Sequence, residues 1–156
     1  MEFTKWDHRF MDMTEFIGGW ASCYQPNRRM GCVIVRNKRI LTTGYNGAPA
    51  GITPCSEKGY CMRKEKGIPA GEQGQFCYAV HAEQNAIVQA AKLGVSVEGA
   101  TLYVTHSPCS ICAKMIINSG IVRVMYRHDY PDAFSRELLS EAGVELVQFT
   151  ESTENA

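Results

Sequence analysis

Apolar and polar positions along this chain repeat with changing period, and the period marks the elements. Trp6, Phe10, Met13, Ile17 and Trp20 step by four, three, four and three, which is one stripe of an amphipathic helix. "GCVIVRNKRILTTGY" follows. Two β-rich runs flank a polar "NK", which predicts a hairpin with strands over 31–36 and 39–45. Residues 46–80 lose all period and are rich in glycine, with three prolines and three cysteines. So long a stretch inside a compact domain is either functional or held by something other than a core. Period then returns. A helix is predicted over 81–93, ended by Gly94. "TLYVT" predicts a strand, and "CSICAKMIINSG" a helix closed by Gly120. "IVRVMY" predicts a strand, "AFSRELLSEAG" a helix closed by Gly143, and "VELVQF" the last strand. Strand and helix alternating with short connections make right-handed crossovers between parallel strands. The expected fold is α/β: one domain over 1–150 with a mixed five-stranded sheet and helices on both faces. Residues 151–156 are a polar tail.

Composition narrows the classes. The 156 residues suit one domain with a single sizeable core. Formal net charge is zero, whereas a chain that holds long nucleic acid usually carries a basic excess. No apolar run approaches the roughly 20 residues that span a bilayer. "MEFTKWDHRF" is polar and mixed in charge, unlike a secretory signal. The expected location is cytoplasmic. Seven cysteines in such a compartment point to metal or catalysis rather than disulfides.

The chemistry gathers in two short motifs. "HAEQNAIVQAAK" is an ordinary helix from Ala86 onward, yet it opens with His81 and Glu83. "SPCSIC" places Cys109 and Cys112 three apart at the start of another helix, with both sulfurs on one face. The N–H groups and dipole of a helix N-terminus favour thiolate. Two thiolates and His81 give zinc three ligands and leave a fourth position for water, the mark of a catalytic site. Glu83 stands beside the metal to move protons. Each piece alone has an ordinary reading: a cap, a dipole-compensating acid, a redox pair. Together, H-x-E and P-C-x-x-C, each opening a helix, form the signature of zinc-dependent nucleobase deaminases.

The resemblance extends over roughly residues 20–145. "GCVIV", "TGYNGAPAG", "HAEQNAI", "GATLYVTHSPCSICAKMIINSGI" and "VMYRHDY" are similar to the deoxycytidylate (dCMP) deaminase family of the cytidine deaminase superfamily. "TGYNG" is typical of the dCMP branch. His106 stands where that family usually has an apolar residue, and only part of the family carries such a cysteine-rich loop. The resemblance implies a three-layer α/β/α fold and zinc-dependent deamination of dCMP to dUMP and ammonia, supplying dUMP for thymidylate synthesis. It further implies that water attacks C4 of the cytosine and that Glu83 carries protons to N3 and the departing amine. Backbone groups beside Ser107 and Pro108 are expected to read the exocyclic amine. Asn46 is expected at the sugar or base, Arg28 and Tyr130 at the 5′-phosphate, and Tyr126 in the pocket wall or the core. Family members often form homo-oligomers, frequently hexamers, activated by dCTP with Mg²⁺ and inhibited by dTTP. Gly44, Tyr45, Gly47 and Lys92 fall at effector positions.

Five cysteines remain. Cys32, among apolar residues on a strand, reads as core. The resemblance to some phage members places Cys23 and Cys55 at a second zinc. Cys61 and Cys77 complete a set of four by proximity and count, enough for a closed structural site. Three other functions share parts of this pattern. A tRNA or single-stranded nucleic-acid deaminase conflicts with zero net charge and "GYNG". A deaminase acting on dCTP differs only in a few loop side chains. A zinc-stabilised binding module has no need of Glu83.

Overall fold

The computed structural model describes residues 2–151; Met1 and the expected tail from Ser152 onward lie outside them. Five strands form one sheet: β1 (Gly31–Arg36), β2 (Arg39–Tyr45), β3 (Thr101–His106), β4 (Arg123–His128) and β5 (Glu145–Gln148). Their order is β2-β1-β3-β4-β5. β1 runs antiparallel to β2 and β3, while β3, β4 and β5 are parallel, so the sheet is mixed as expected. Asn37 and Lys38 make the hairpin turn, with φ of 52° and 60°. Two left-handed residues match the twist of the flanking strands.

Alternation along the strands sorts the core into two layers. Cys32, Ile34, Leu102, Val104, Val124 and Tyr126 face one way. They pack on Ala82, Ala86 and Ala90 of α4 (Ala82–Leu93), Ala113 and Ile116 of α5 (Ser110–Asn118), and Leu139 of α6 (Ala133–Glu141). Val33, Val35, Tyr103, Met125 and Val147 face the other way, onto Phe10, Met11 and Ile17 of α1 (Lys5–Gly18). This is the three-layer α/β/α arrangement.

The structure corrects three details. The buried stripe of α1 is Asp7, Phe10, Met11, Thr14 and Ile17, whereas Met13 and Trp20 are exposed. Trp20 lies beyond the helix end, where helical spacing no longer applies. β4 begins at Arg123, two residues late, because its pairing starts opposite Thr101, and it runs on to His128 opposite His106. The irregular region holds two single-turn helices, α2 (Cys55–Lys58) and α3 (Met62–Glu65). No helix among the described residues is long and apolar enough to cross a membrane. None of the seven cysteines is in a disulfide.

Candidate active site

Two close approaches fix the start of α4. A β-carbon at Gly44 would meet Ala82 O at 2.3 Å and Ala86 N at 2.5 Å. Only glycine lets α4 lie this near β2. Thr42 Oγ1 donates to Ala86 O (3.0 Å) and Asn85 Nδ2 to Tyr45 O (2.7 Å), which pins the helix in register. The chain entering α4 is held by a bridge between Gly47 and Val80, with hydrogen bonds of 3.2 and 2.8 Å. His81 then caps the helix with an extended backbone (φ −68°, ψ 155°), and its N–H donates to Gln84 Oε1 at 2.9 Å. The imidazole is thereby free of helical geometry.

α5 starts just beyond the C-terminal end of β3. Cys109 caps it, and Cys112 lies one turn in, fully buried. His81 Nδ1 is 3.6 Å from Cys109 Sγ and 3.3 Å from Cys112 Sγ. The three ligand atoms all lie within 4.8 Å of one another. Tetrahedral zinc, bonded at about 2.3 Å to sulfur and about 2.0 Å to nitrogen, sets such atoms about 3.5 Å apart. The donor set and its spacing therefore fit zinc. The Cys112 thiol donates to Cys109, which holds Cys109 down at about 4 and pushes Cys112 well up. The Cys109 sulfur in turn draws His81 up, against the effect of burial.

Glu83 is 5% exposed. Burial raises its carboxyl above the usual range, opposed by its own N–H, His81 and the Cys112 thiol. Cys32 lies beneath, completely buried, its thiol pushed up by burial and then by Glu83. A buried carboxyl that retains a proton more readily than usual thus stands beside the three converging ligand atoms, with the buried Cys32 thiol near it.

The wall beyond Cys109 is held by residues that local patterns do not reveal. Asp132 caps α6 by accepting from Ser135 N (2.9 Å) and also accepts from Ser110 N (2.8 Å), tying two helix starts together. Ser135 Oγ donates to Pro108 O at 2.6 Å. Ser107 Oγ accepts from Tyr130 N at 2.7 Å, and Ser107 N–H donates to His128 O at 2.9 Å. Nothing in the one-dimensional pattern links Asp132 and Ser135 to residues 108–110.

The remaining expected residues have partners of their own. Asn46 spends both ends of its amide on backbone: Oδ1 accepts from Met30 N and Nδ2 donates to Arg28 O, each at 2.7 Å. It shapes the segment carrying half-buried Arg28. Tyr126 belongs to the core at 4% exposure, with its hydroxyl accepting from Arg136 at 3.2 Å. Tyr45 and Lys92 are exposed. Cys23, Cys61 and Cys77 stand near enough to Cys55 to push its thiol up, after burial. Among the described residues, His81, Cys109 and Cys112 are the only group of three or more whose ligand atoms all lie within 4.8 Å of one another.

Comparison with known proteins gives this geometry a family. Deoxycytidylate deaminase of Schizosaccharomyces pombe is 39% identical over 92% of this chain, which spans 44% of that protein. ComE operon protein 2 of Bacillus subtilis is 38% identical, with 95% of this chain and 73% of that protein covered. Among solved structures, dCMP deaminase of cyanophage S-TIM5 in complex with dCMP and dUMP superposes with a TM-score of 0.78. It is 31% identical, with 96% of this chain and all of that one covered. The profile of the cytidine and deoxycytidylate deaminase zinc-binding region matches residues 4–128. By site, sheet and sequence alike, the chain belongs to the cytidine and deoxycytidylate deaminases.

Proposed function

We propose that this chain hydrolyses dCMP to dUMP and ammonia. The carrying observation is Glu83, a buried carboxylate beside three ligand atoms spaced for zinc. The relative solved with dCMP and dUMP supports the choice of substrate. When bound by His81, Cys109 and Cys112, zinc supplies Lewis acidity and acidifies water towards neutral pH. Glu83 takes one proton from the water that attacks C4 and delivers it to ring N3; it then takes the remaining proton from the new C4 hydroxyl and delivers it to the amine as the C4–N4 bond breaks, leaving the C4 carbonyl of dUMP and ammonia. The burial of Glu83 keeps bulk water from competing for that proton. Ser135 and Asp132 hold the 108–110 turn rigid against the cytosine edge. Arg28 and Tyr130 bind the 5′-phosphate, with Asn46 setting the backbone of Arg28.

The same reading gives Cys23 and the three loop cysteines, Cys55, Cys61 and Cys77, a structural zinc and the assembled enzyme a homo-oligomeric form, hexameric by family resemblance. It gives "GYNG" and Lys92 the binding of a dCTP–Mg²⁺ or dTTP effector. Gly44 and Gly47 also have structural work here, against α4 and Val80.

The test is ammonia release from deoxycytidine, cytidine, dCMP, dCTP and a cytosine-containing oligonucleotide, with and without dCTP or dTTP. dCMP should exceed deoxycytidine by orders of magnitude in kcat/KM, since each charged hydrogen bond to phosphate contributes about 1.5–3 kcal/mol. Equal efficiency on nucleoside and nucleotide overturns the assignment.

A further inference from the structure

Between α3 and His81 the chain makes an exposed excursion, solvent-facing from Pro69 to Phe76. Its backbone hydrogen bonds are local: Ile68 N–H to Arg63 O, Glu72 N–H to Pro69 O, Phe76 N–H to Gln73 O and Cys77 N–H to Gly74 O, at 2.9–3.2 Å. It turns through three left-handed residues, Gly67 (φ 64°), Gly71 (φ 84°) and Gln73 (φ 43°). Gln73 carries a β-carbon, so that conformation costs energy unless the surroundings impose it.

One side chain braces the turn next to it. A single nitrogen of Arg63, Nη2, donates to Pro69 O at 2.6 Å and to Glu72 O at 2.7 Å. Those carbonyls flank the tip, and the tip has a neighbour outside its own loop. A β-carbon at Gly71 would lie 3.7 Å from the Tyr130 hydroxyl. The Tyr130 backbone is tied to Ser107, two residues before Cys109. The tip therefore reaches from the far end of the cysteine-rich loop to the wall beside the three ligand atoms.

We propose that residues 66–76 roof the substrate pocket and that Arg63 is a positioning residue, stapling the tip so that Gly71 stays against Tyr130. The inference rests on the dCMP reading, since it is a nucleotide that the roof would enclose. Without the staple the tip samples many conformations, and closing over substrate costs the entropy that Arg63 removes in advance. That cost falls on binding rather than on proton transfer by Glu83.

Two measurements test this. In the wild-type enzyme, saturating dUMP should slow tryptic cleavage after Lys64 and Lys66 several-fold. Arg63→Ala should raise KM for dCMP about tenfold, a loss of the size one charged hydrogen bond supplies, with kcat within about twofold and zinc content unchanged. Arg63→Lys, whose ammonium offers donors to both carbonyls, should restore most of the affinity. Cleavage indifferent to dUMP, or an unaltered KM in zinc-replete Arg63→Ala, overturns the proposal. Should Arg63→Ala not fold, the wild-type protection decides alone. A wild-type enzyme that releases no ammonia from dCMP defeats the functional reading and this one with it. An enzyme that turns over dCMP without protecting Lys64 and Lys66 defeats only the roof.

Discussion

Among the described residues, Glu83 is the carboxylate that stands inside the protein next to sulfur and imidazole. Glu83→Gln keeps the shape and removes the proton carrier. It should retain zinc and the wild-type melting temperature and lose about 10²–10⁴-fold in turnover, the usual contribution of a general acid–base group. Metal content, melting and ammonia release on one preparation check this; near-normal turnover in a zinc-replete variant contradicts the mechanism. These four site residues were legible because their chemistry is local. Glu83 follows His81 by two positions, and Cys109 precedes Cys112 by three. Asp132 and Ser135 were not legible. Each looks like an ordinary helix cap, and their second partners, Ser110 N and Pro108 O, come near only through the fold.

At the scale of the element, α4 carries His81 and Glu83, and its placement depends on Gly44. Alanine there drives a β-carbon into the Ala82 carbonyl at 2.3 Å, so the helix must move. Gly44→Ala should cost about 1–3 kcal/mol and displace Glu83, lowering both melting temperature and turnover with no effector present. An unchanged melting temperature would leave Gly44 to an effector role alone. The cysteine-rich loop carries a parallel expectation. Metal analysis should find two zinc ions per chain, and Cys55→Ser should lose one and make the loop easier to cleave, while Cys109 and Cys112 keep the other. One zinc per active chain, with Cys23, Cys55, Cys61 and Cys77 all open to alkylation, rules the second site out. Elements with a sustained period were readable in advance, including the hairpin at Asn37 and Lys38. α2 and α3 were not, since one turn has no period to detect. The face of α1 was misread because Asp7 and Thr14 lie on it. Thr14 satisfies its hydroxyl on Phe10 O within the helix, whereas Asp7 depends on Tyr103 and Arg123, far along the chain.

That buried Asp7 ties the molecule together. It accepts from Thr4 at the start of α1, from Tyr103 of β3 at 2.8 Å and from Arg123 of β4 at 3.4 Å. Burial pushes its carboxyl up, but those donors and the guanidinium outweigh it and leave it below the usual carboxylate range. A folded-state pKa below the unfolded one stabilises above the unfolded value, about 3.9, and the contribution fades as pH falls through the folded value. Asp7→Asn should therefore be less stable than wild type at pH 6, by about 1.5–3 kcal/mol, and the gap should close on acidification below about pH 4. Denaturant midpoints of both proteins from pH 3 to 6 measure it; a gap independent of pH contradicts the assignment. The bridge of Gly47 to Val80 has a consequence for how such a chain can change. The chain departs for the cysteine-rich excursion at Gly47 and returns opposite it at Val80, with further ties from Ser56 to Ser22 and from Cys61 to Gln25, so the cost of closing it rises only slowly with its length. Its contents form an exchangeable cassette. Evolution, or an engineer, can trim, lengthen or replace the segment above the catalytic residues while the sheet, α4 and α5 stay as they are.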